Sequence, residues 1–192
     1  MLPKNGGIIL NIFETNRLII RCWELEDYRD MYELNSDEKV NPSAGCSVIK
    51  DIEKIKANLK LFISRNLSFA IVLKEENKVI GTIGMDENAP DEALKELKQR
   101  YIGYRLNSNY WGKGYATEAV QYFIRYLFEN LDLDLIWSSH FDFNEKSKRV
   151  IEKCGFKYKF SRNKIVQALG DKTVTELFYS LDKSVYLSEK SI

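Results

Sequence analysis

Two glycines flank a lysine in WGKGYAT (residues 111–117), and the apolar spacing that follows is helical. The first turn of a helix carries backbone N–H groups with no intrahelical partner, at the positive end of its macrodipole, and so favours an anion. Gly112 and Gly114 have no Cβ, which lets successive amides face one bound group. Ala116 is nearly as small, and Lys113 adds a mobile positive charge. The same residues also suit a plain strand-to-helix turn, and the segment alone leaves both readings open. Two phosphate loops of fixed spelling match poorly. G-x-x-x-x-G-K-[ST] needs Ser or Thr where Gly114 stands, and G-x-G-x-x-G finds Thr117 at its third glycine, with NSNYW intervening after the apolar strand.

A second group with chemical potential is FNEKSKRVIEKCGF (143–156). Asn144 is a good N-cap type for a helix running to Cys154. Ser147 shares helical spacing with Val150, Ile151 and Cys154, so its hydroxyl points inward, either back to a carbonyl or towards a ligand. Gly103 interrupts the strand-like RYIGYRL, as a bulge that frees an N–H or as a glycine packed beneath a large side chain. His140, the one histidine, is of a type suited to base work, but it lies two residues from Ser138 on one face of a strand, where a structural role is the commoner one. Cys22 and Cys154 read as core fillers, and Tyr110, Trp111 and Tyr115 as packing or cofactor-lining aromatics. DENAPDEALKE (86–96) sets Asp86, Glu87, Asp91, Glu92 and Glu96 against Lys95, as a solvated acidic loop or an attractor for a cationic amine.

These groups need a scaffold, and the periodicity supplies one. RLIIRCW reads as a strand and ELEDYRDMYELNSDE as a helix. DIEKIKANLKLFISRN is a second amphipathic helix, with Ile52, Ile55, Leu59, Phe62 and Ile63 on one side. SFAIVLKEENKVIGTIGM is a hairpin, followed by the acidic loop and the strand RYIGYRL. Ala116 to Leu131 forms a long helix, LDLIWSSHF a strand, and FKYKFSR and VTELFYSL two closing strands. The fold class is α/β, a mixed and mostly antiparallel central sheet flanked by helices on both faces.

With 192 residues the simplest reading is one domain over 1–192, with its core at about 13–182. Lys and Arg number 29 against 28 Asp and Glu, which leaves no bulk field for nucleic acid or an anionic membrane. Cys22, Cys46 and Cys154 are odd in number and show no C-x-x-C spacing, so neither a disulfide framework nor a zinc site is expected. The N-terminal segment carries a short apolar patch without a basic flank or a cleavage site, and no apolar run approaches a bilayer span. A reduced, cytoplasmic protein, monomeric or homodimeric and without metal, is expected.

Taken in order, IGYRL, YWGKGYATEAV and FNEKSKRVIEKCGF resemble the core of the GNAT superfamily of acetyl-CoA-dependent N-acetyltransferases, in the branch of the ribosomal-protein N-terminal acetyltransferases; FETNRLIIRCWELED is similar to that branch's opening. The resemblance implies the acyl-CoA N-acyltransferase fold, acetyl-CoA as cosubstrate and an amine acceptor, either a peptide N-terminus or a small amine. It implies that Trp111, Gly112, Lys113, Gly114, Tyr115, Ala116 and Thr117 hold the pyrophosphate; Trp111 stands where the family motif has Gln or Arg. It further implies that the backbone of Tyr104, Arg105 and Leu106 pairs with the pantetheine arm, that Gly103 is a bulge, and that Asn144 and Ser147 touch CoA, with Ser147 the acid for the leaving sulfur. Relatives carry a glutamate two residues before the glycine, where this chain has Tyr101, so the base is not carried over; Asp86, Glu87 or water are the substitutes. A CoA-binding sensor without catalysis is the alternative, and a nucleotide-binding domain the third reading.

Overall fold

The computed structural model describes residues 13–189, and the N-terminal apolar patch lies outside them. In chain order the elements are β1 (Phe13–Glu14), β2 (Leu18–Cys22), α1 (Tyr28–Ser36), α2 (Val40–Ser43), α3 (Ile52–Arg65), β3 (Ser68–Leu73), β4 (Lys78–Asp86), β5 (Gln99–Leu106), α4 (Tyr115–Asn130), β6 (Leu135–Phe141), α5 (Glu145–Lys153), β7 (Lys157–Val166), β8 (Lys172–Asp182) and α6 (Lys183–Glu189). The strands form one eight-stranded sheet in the order β1-β2-β3-β4-β5-β6-β8-β7. Every neighbouring pair is antiparallel except β5 with β6.

Helices cover both faces, and alternation along the strands assigns side chains to them. Phe69 and Ile71 of β3 join Phe123, Ile124 and Leu127 of α4 in the larger core. Ala70 and Val72 turn to the other face, against Met31 of α1 and Ile55 and Leu59 of α3. A strand buried on both sides reads as an unbroken apolar run, which explains SFAIVL. The β3–β4 register shifts between Ile71 and Val72, so Ile80 and Ile83, three residues apart, both reach the α4 core.

Local chemistry sets the helix ends. Asp51 Oδ1 accepts from the amides of Glu53 (3.0 Å) and Lys54 (3.2 Å) to start α3, and Asn66 ends it in the left-handed region at φ 50°. Two residues of the expected apolar stripe differ. Ile52 and Ile63 stand at the surface, because α3 lies on the sheet through the narrower line of Ile55, Leu59 and Phe62. Cys22 is also no core filler: it is exposed at the end of β2, its Sγ donating to Asn66 Oδ1 at 3.2 Å.

Glu118, in the first turn of α4, ties the β1–β2 turn to the glycine segment. It accepts from the Thr15 hydroxyl (2.5 Å) and from Arg17 Nε (2.7 Å), while Arg17 Nη1 donates to the Lys113 carbonyl (3.0 Å). Burial opposes the charge of this carboxylate, but the Thr15 hydroxyl and the Arg17 donors outweigh burial and hold its pKa below the usual carboxylate range. A depressed carboxylate pKa contributes stability that is present above the unfolded pKa and is lost as pH falls through the folded one. Glu118→Gln should therefore cost about 1–2 kcal/mol at pH 7, where charge-assisted bonds are lost. Thermal melts of both proteins at pH 7 and pH 3 should show the gap closing in acid; an equal gap at both would refute the assignment.

Candidate functional site

β5 and β6 pair over three residues only, Gln99 with Leu135, Arg100 with Ile136 and Tyr101 with Trp137. The Ser138 hydroxyl then donates to the Ile102 carbonyl (3.2 Å), and beyond it the strands part. β5 runs on to Leu106 paired with β4, while β6 runs on to Phe141 paired with β8. Two cavities occupy the opening, one of about 420 Å³ beside α4 and α5 and one of about 650 Å³ on the α3 side. Both are lined by Tyr104, Arg105, Asn144 and Ser147, which places these four where the cavities adjoin.

The glycine segment lines the smaller cavity. Gly112 (φ 78°) and Gly114 (φ 83°) sit in the left-handed region, where side chains are disfavoured, and Gly114 is the N-cap of α4. A Cβ on Gly112 would meet nothing within 4 Å, so backbone conformation rather than crowding demands the glycine. Trp111, Tyr115, Ala116 and Thr117 join them in the lining. Lys113 does not: its ammonium lies 5.3 Å from the Tyr110 ring centroid. Besides Arg105, the cations at this cavity are Lys146, Arg149 and Lys153 of α5, with Lys146 Nζ 3.9 Å from the Trp111 ring centroid. Their spacing of three and four residues marks one helix face, a signal that the sequence carries.

Of the β5 residues expected to present backbone to a ligand, Leu106 already spends a carbonyl lone pair on Trp111 Nε1 (2.8 Å). Arg105 acts through its side chain, donating to Asn41 Oδ1 of α2 (2.5 Å) and Asn35 Oδ1 of α1 (3.2 Å). Burial lowers the pKa of this guanidinium, whose hydrogen-bond partners are amide oxygens. Tyr104 contributes a phenol that meets Ser147 Oγ at 3.0 Å and donates to the Ser147 carbonyl at 3.2 Å. Burial raises the pKa of that phenol, so it stays protonated.

Asn144 serves two partners. Its Oδ1 accepts from the Ser147 amide (3.1 Å), capping α5, and its Nδ2 donates to the Ser43 carbonyl at the end of α2 (2.9 Å). Gly103 departs from both readings of it. Its pairing with Gly84 sits in unbroken register, so there is no bulge, and a Cβ there would meet nothing within 4 Å, so no side chain packs over it. It borders the larger cavity and keeps it open.

Of the two acidic-loop candidates, Asp86 lines that larger cavity and Glu87 does not. Asp86 is exposed and accepts from the Asn88 amide (2.7 Å), and Glu87, 80% exposed, pairs with Arg100 at 3.1 Å. Glu176 of β8 also reaches the cavity, accepting from the Ser139 hydroxyl at 2.6 Å, while the Tyr101 phenol hydrogen-bonds with that hydroxyl. His140 is buried, with Nδ1 at the Phe141 carbonyl (2.8 Å) and Nε2 at the Tyr179 hydroxyl (3.1 Å), a structural placement. Cys154 is buried and its thiol is pushed up to about 12 by burial, which leaves it a poor nucleophile. Among the described residues no cluster of His, Cys, Asp and Glu suits a metal, and no helix is long and apolar enough to cross a membrane.

This arrangement has counterparts in known proteins. The family model for the acetyltransferase (GNAT) domain matches residues 17–157. An N-acetyltransferase of Bacillus licheniformis, p20, is 31% identical over 147 residues, covering 74% of this chain and 80% of its own. A GNAT-family acetyltransferase structure from Bacillus anthracis superposes with a TM-score of 0.79 at 25% identity, covering 91% of this chain and 99% of that one. The microcin C7 self-immunity acetyltransferase MccE, solved with acetyl-CoA and AMP, shares the fold with a TM-score of 0.72 at 21% identity, over 88% of this chain and 93% of its own. A strand pair that opens beside a glycine-initiated helix, within a chain matched over most of its length, makes this protein a member of the GNAT family of acetyl-CoA-dependent N-acetyltransferases.

Proposed function

We propose that the protein moves the acetyl group of acetyl-CoA to a primary amine, a peptide N-terminus or a small amine, by direct attack in a ternary complex within one domain. The observation that carries this reading is the meeting of two cavities at Tyr104, Asn144 and Ser147. Acetyl-CoA fits the smaller one: its pyrophosphate suits the amides at Gly112–Thr117, with Lys146, Arg149 and Lys153 alongside for phosphate charge. The likeness to MccE, whose structure holds acetyl-CoA, supports the same cosubstrate. The larger cavity is then the acceptor's.

Strand alternation supports a pantetheine arm along β5. The Ile102 carbonyl points towards β6 and the Asn107 amide towards β4, so the backbone groups of Tyr104 share the β6 side, where no strand answers them. Holding amine and thioester together in this way supplies several kcal/mol by proximity. The Ser147 hydroxyl, backed by the Tyr104 phenol, donates to the leaving thiolate.

A mixed panel of amines with acetyl-CoA, followed by release of free thiol, tests the reading. Acceptor-dependent release is expected; tight acetyl-CoA binding with no such release would make the protein a sensor. Gly114→Asp should weaken acetyl-CoA binding at least tenfold through charge repulsion at the cradle, and Gly114→Ala, whose Cβ clears Arg17 Nη2 by 3.5 Å, measures the backbone strain separately. Unchanged affinity in folded Gly114→Asp would falsify the loop assignment. Ser147→Ala should lower kcat by roughly tenfold or more with acetyl-CoA affinity nearly intact, and Tyr104→Phe should do so to a lesser degree. The reverse pattern would leave Ser147 a binding residue alone. Gly103→Val should fold normally and raise the KM for the amine well above that for acetyl-CoA; steady-state kinetics in both substrates check it.

A further inference from the structure

The larger cavity holds one recessed carboxylate, and its neighbours aim it. The Glu176 side chain is 13% exposed, against 80% for Glu87. Ser139 Oγ donates to Glu176 Oε1 at 2.6 Å, and the Tyr101 phenol lies on the Ser139 hydroxyl and 3.5 Å from the same Oε1. Burial raises the pKa of Tyr101, so the phenol keeps its proton and the donor order runs Tyr101 to Ser139 to Glu176. Lys164 Nζ of β7 is 3.4 Å from Oε2, on a side chain 57% exposed, so that pair sits at the rim and is screened by solvent.

The remaining charged and titratable groups around Glu176 leave it free for a ligand. Arg162 faces it across the β7–β8 ladder, but the guanidinium donates to the Pro90 carbonyl (2.6 Å) and lies over the Phe160 ring. Asp86 of β4 stands exposed on the same cavity with Oδ1 accepting from the Asn88 amide, and both ring nitrogens of His140 on β6 have partners.

We propose that Glu176 is the proton acceptor for the acceptor amine, with Ser139 and Tyr101 as positioning residues that hold its carboxylate towards the cavity. This rests on the amine-acetylation reading and narrows it to acceptors that enter as alkylammonium cations. The ammonium gives one proton to Glu176, leaving a neutral amine and a carboxylic acid. The nitrogen lone pair forms the N–C bond to the thioester carbonyl carbon, and the C–S bond breaks as the carbonyl reforms. Sulfur takes its proton from the Ser147 hydroxyl, and the second amine proton, released as the amide forms, returns that hydroxyl to its protonated form. Glu176 then releases its proton to solvent past Lys164. One C–S bond has become one C–N bond, with a free thiol and one proton released.

The test compares wild type, Glu176→Gln, Glu176→Asp and Ser139→Ala with propylamine, spermidine and an alanine-initial hexapeptide as acceptors. In Glu176→Gln, kcat/KM for the amine should fall about 100-fold at pH 7, within the usual range for a lost general base. The deficit should narrow as pH rises and the amine deprotonates unaided. Glu176→Asp should recover part of the rate, and Ser139→Ala should lose about tenfold with the same pH signature. Acetyl-CoA affinity by calorimetry should stay within twofold throughout, which separates this idea from the cofactor assignment. A fall below threefold with an unchanged pH profile overturns the proposal, as does a pH-independent loss accompanied by weakened acetyl-CoA binding. If Glu176→Gln does not fold, Ser139→Ala carries the test, and an unaltered rate there overturns it. If wild type turns over none of the three amines, propylammonium binding to the CoA complex decides. A Kd at least tenfold weaker in Glu176→Gln supports the role, and equal or absent binding overturns it.

Discussion

Three parallel residue pairs between β5 and β6 are the constraint on which the site depends. A parallel pair needs a crossover, here through α4, and the crossover brings a helix N-terminus back to the strand ends. Had the pairing continued past Tyr101, the β5 backbone would be satisfied within the sheet and no cleft would form. Because it stops, β5 keeps a row of polar groups that a ligand can pair. The outer neighbours hold the two walls apart: β4 follows β5 in register to Leu106, and β8 follows β6 to Phe141. The opening is therefore a fixed feature of the sheet, with antiparallel support on each flank.

Charge is distributed around that opening in a consistent order. Lys146, Arg149 and Lys153 face the smaller cavity, and the recessed carboxylate of Glu176 faces the larger one. Between them Arg105 is held by the amide oxygens of Asn35 and Asn41 rather than by a carboxylate. A carboxylate there would cancel the charge at the junction; the amides orient the guanidinium while leaving the charge in place. The same two bonds fasten β5 to α1 and α2, whose last residue, Ser43, is in turn held by Asn144. The roof over the junction is thus tied to both walls.

What the sequence made legible was what local chemistry dictates. Gly112 and Gly114, the N-cap at Asn144 and the inward Ser147 follow from spacing within a few residues, and the order of the two motifs pointed to the family. Short elements escaped: β1, α2 and α6 span two, four and seven residues, and α2 carries the Asn41 that orients Arg105. Gly103 was misread because the parting of β5 from β6 is tertiary. A strand glycine beside an opening looks, in sequence, the same as one beneath a side chain or in a bulge. Glu176 could not be found by spacing at all, since its partners Ser139 and Tyr101 lie 37 and 75 residues away. On a strand with partners on both faces, one glutamate among alternating residues carries no mark of where it points.

The two mouths of the cleft are built from different materials. The smaller one is built chiefly from two short stretches of chain, Tyr110 to Thr117 at the start of α4 and Asn144 to Lys153 at α5. The larger one is walled by side chains from α3, β4, β6, β7 and β8, segments far apart in the chain. Away from the residues that line both mouths, a substitution at the second leaves the first untouched. On the function proposed above, the donor half of the reaction is held by contiguous chain and the acceptor half by scattered single positions.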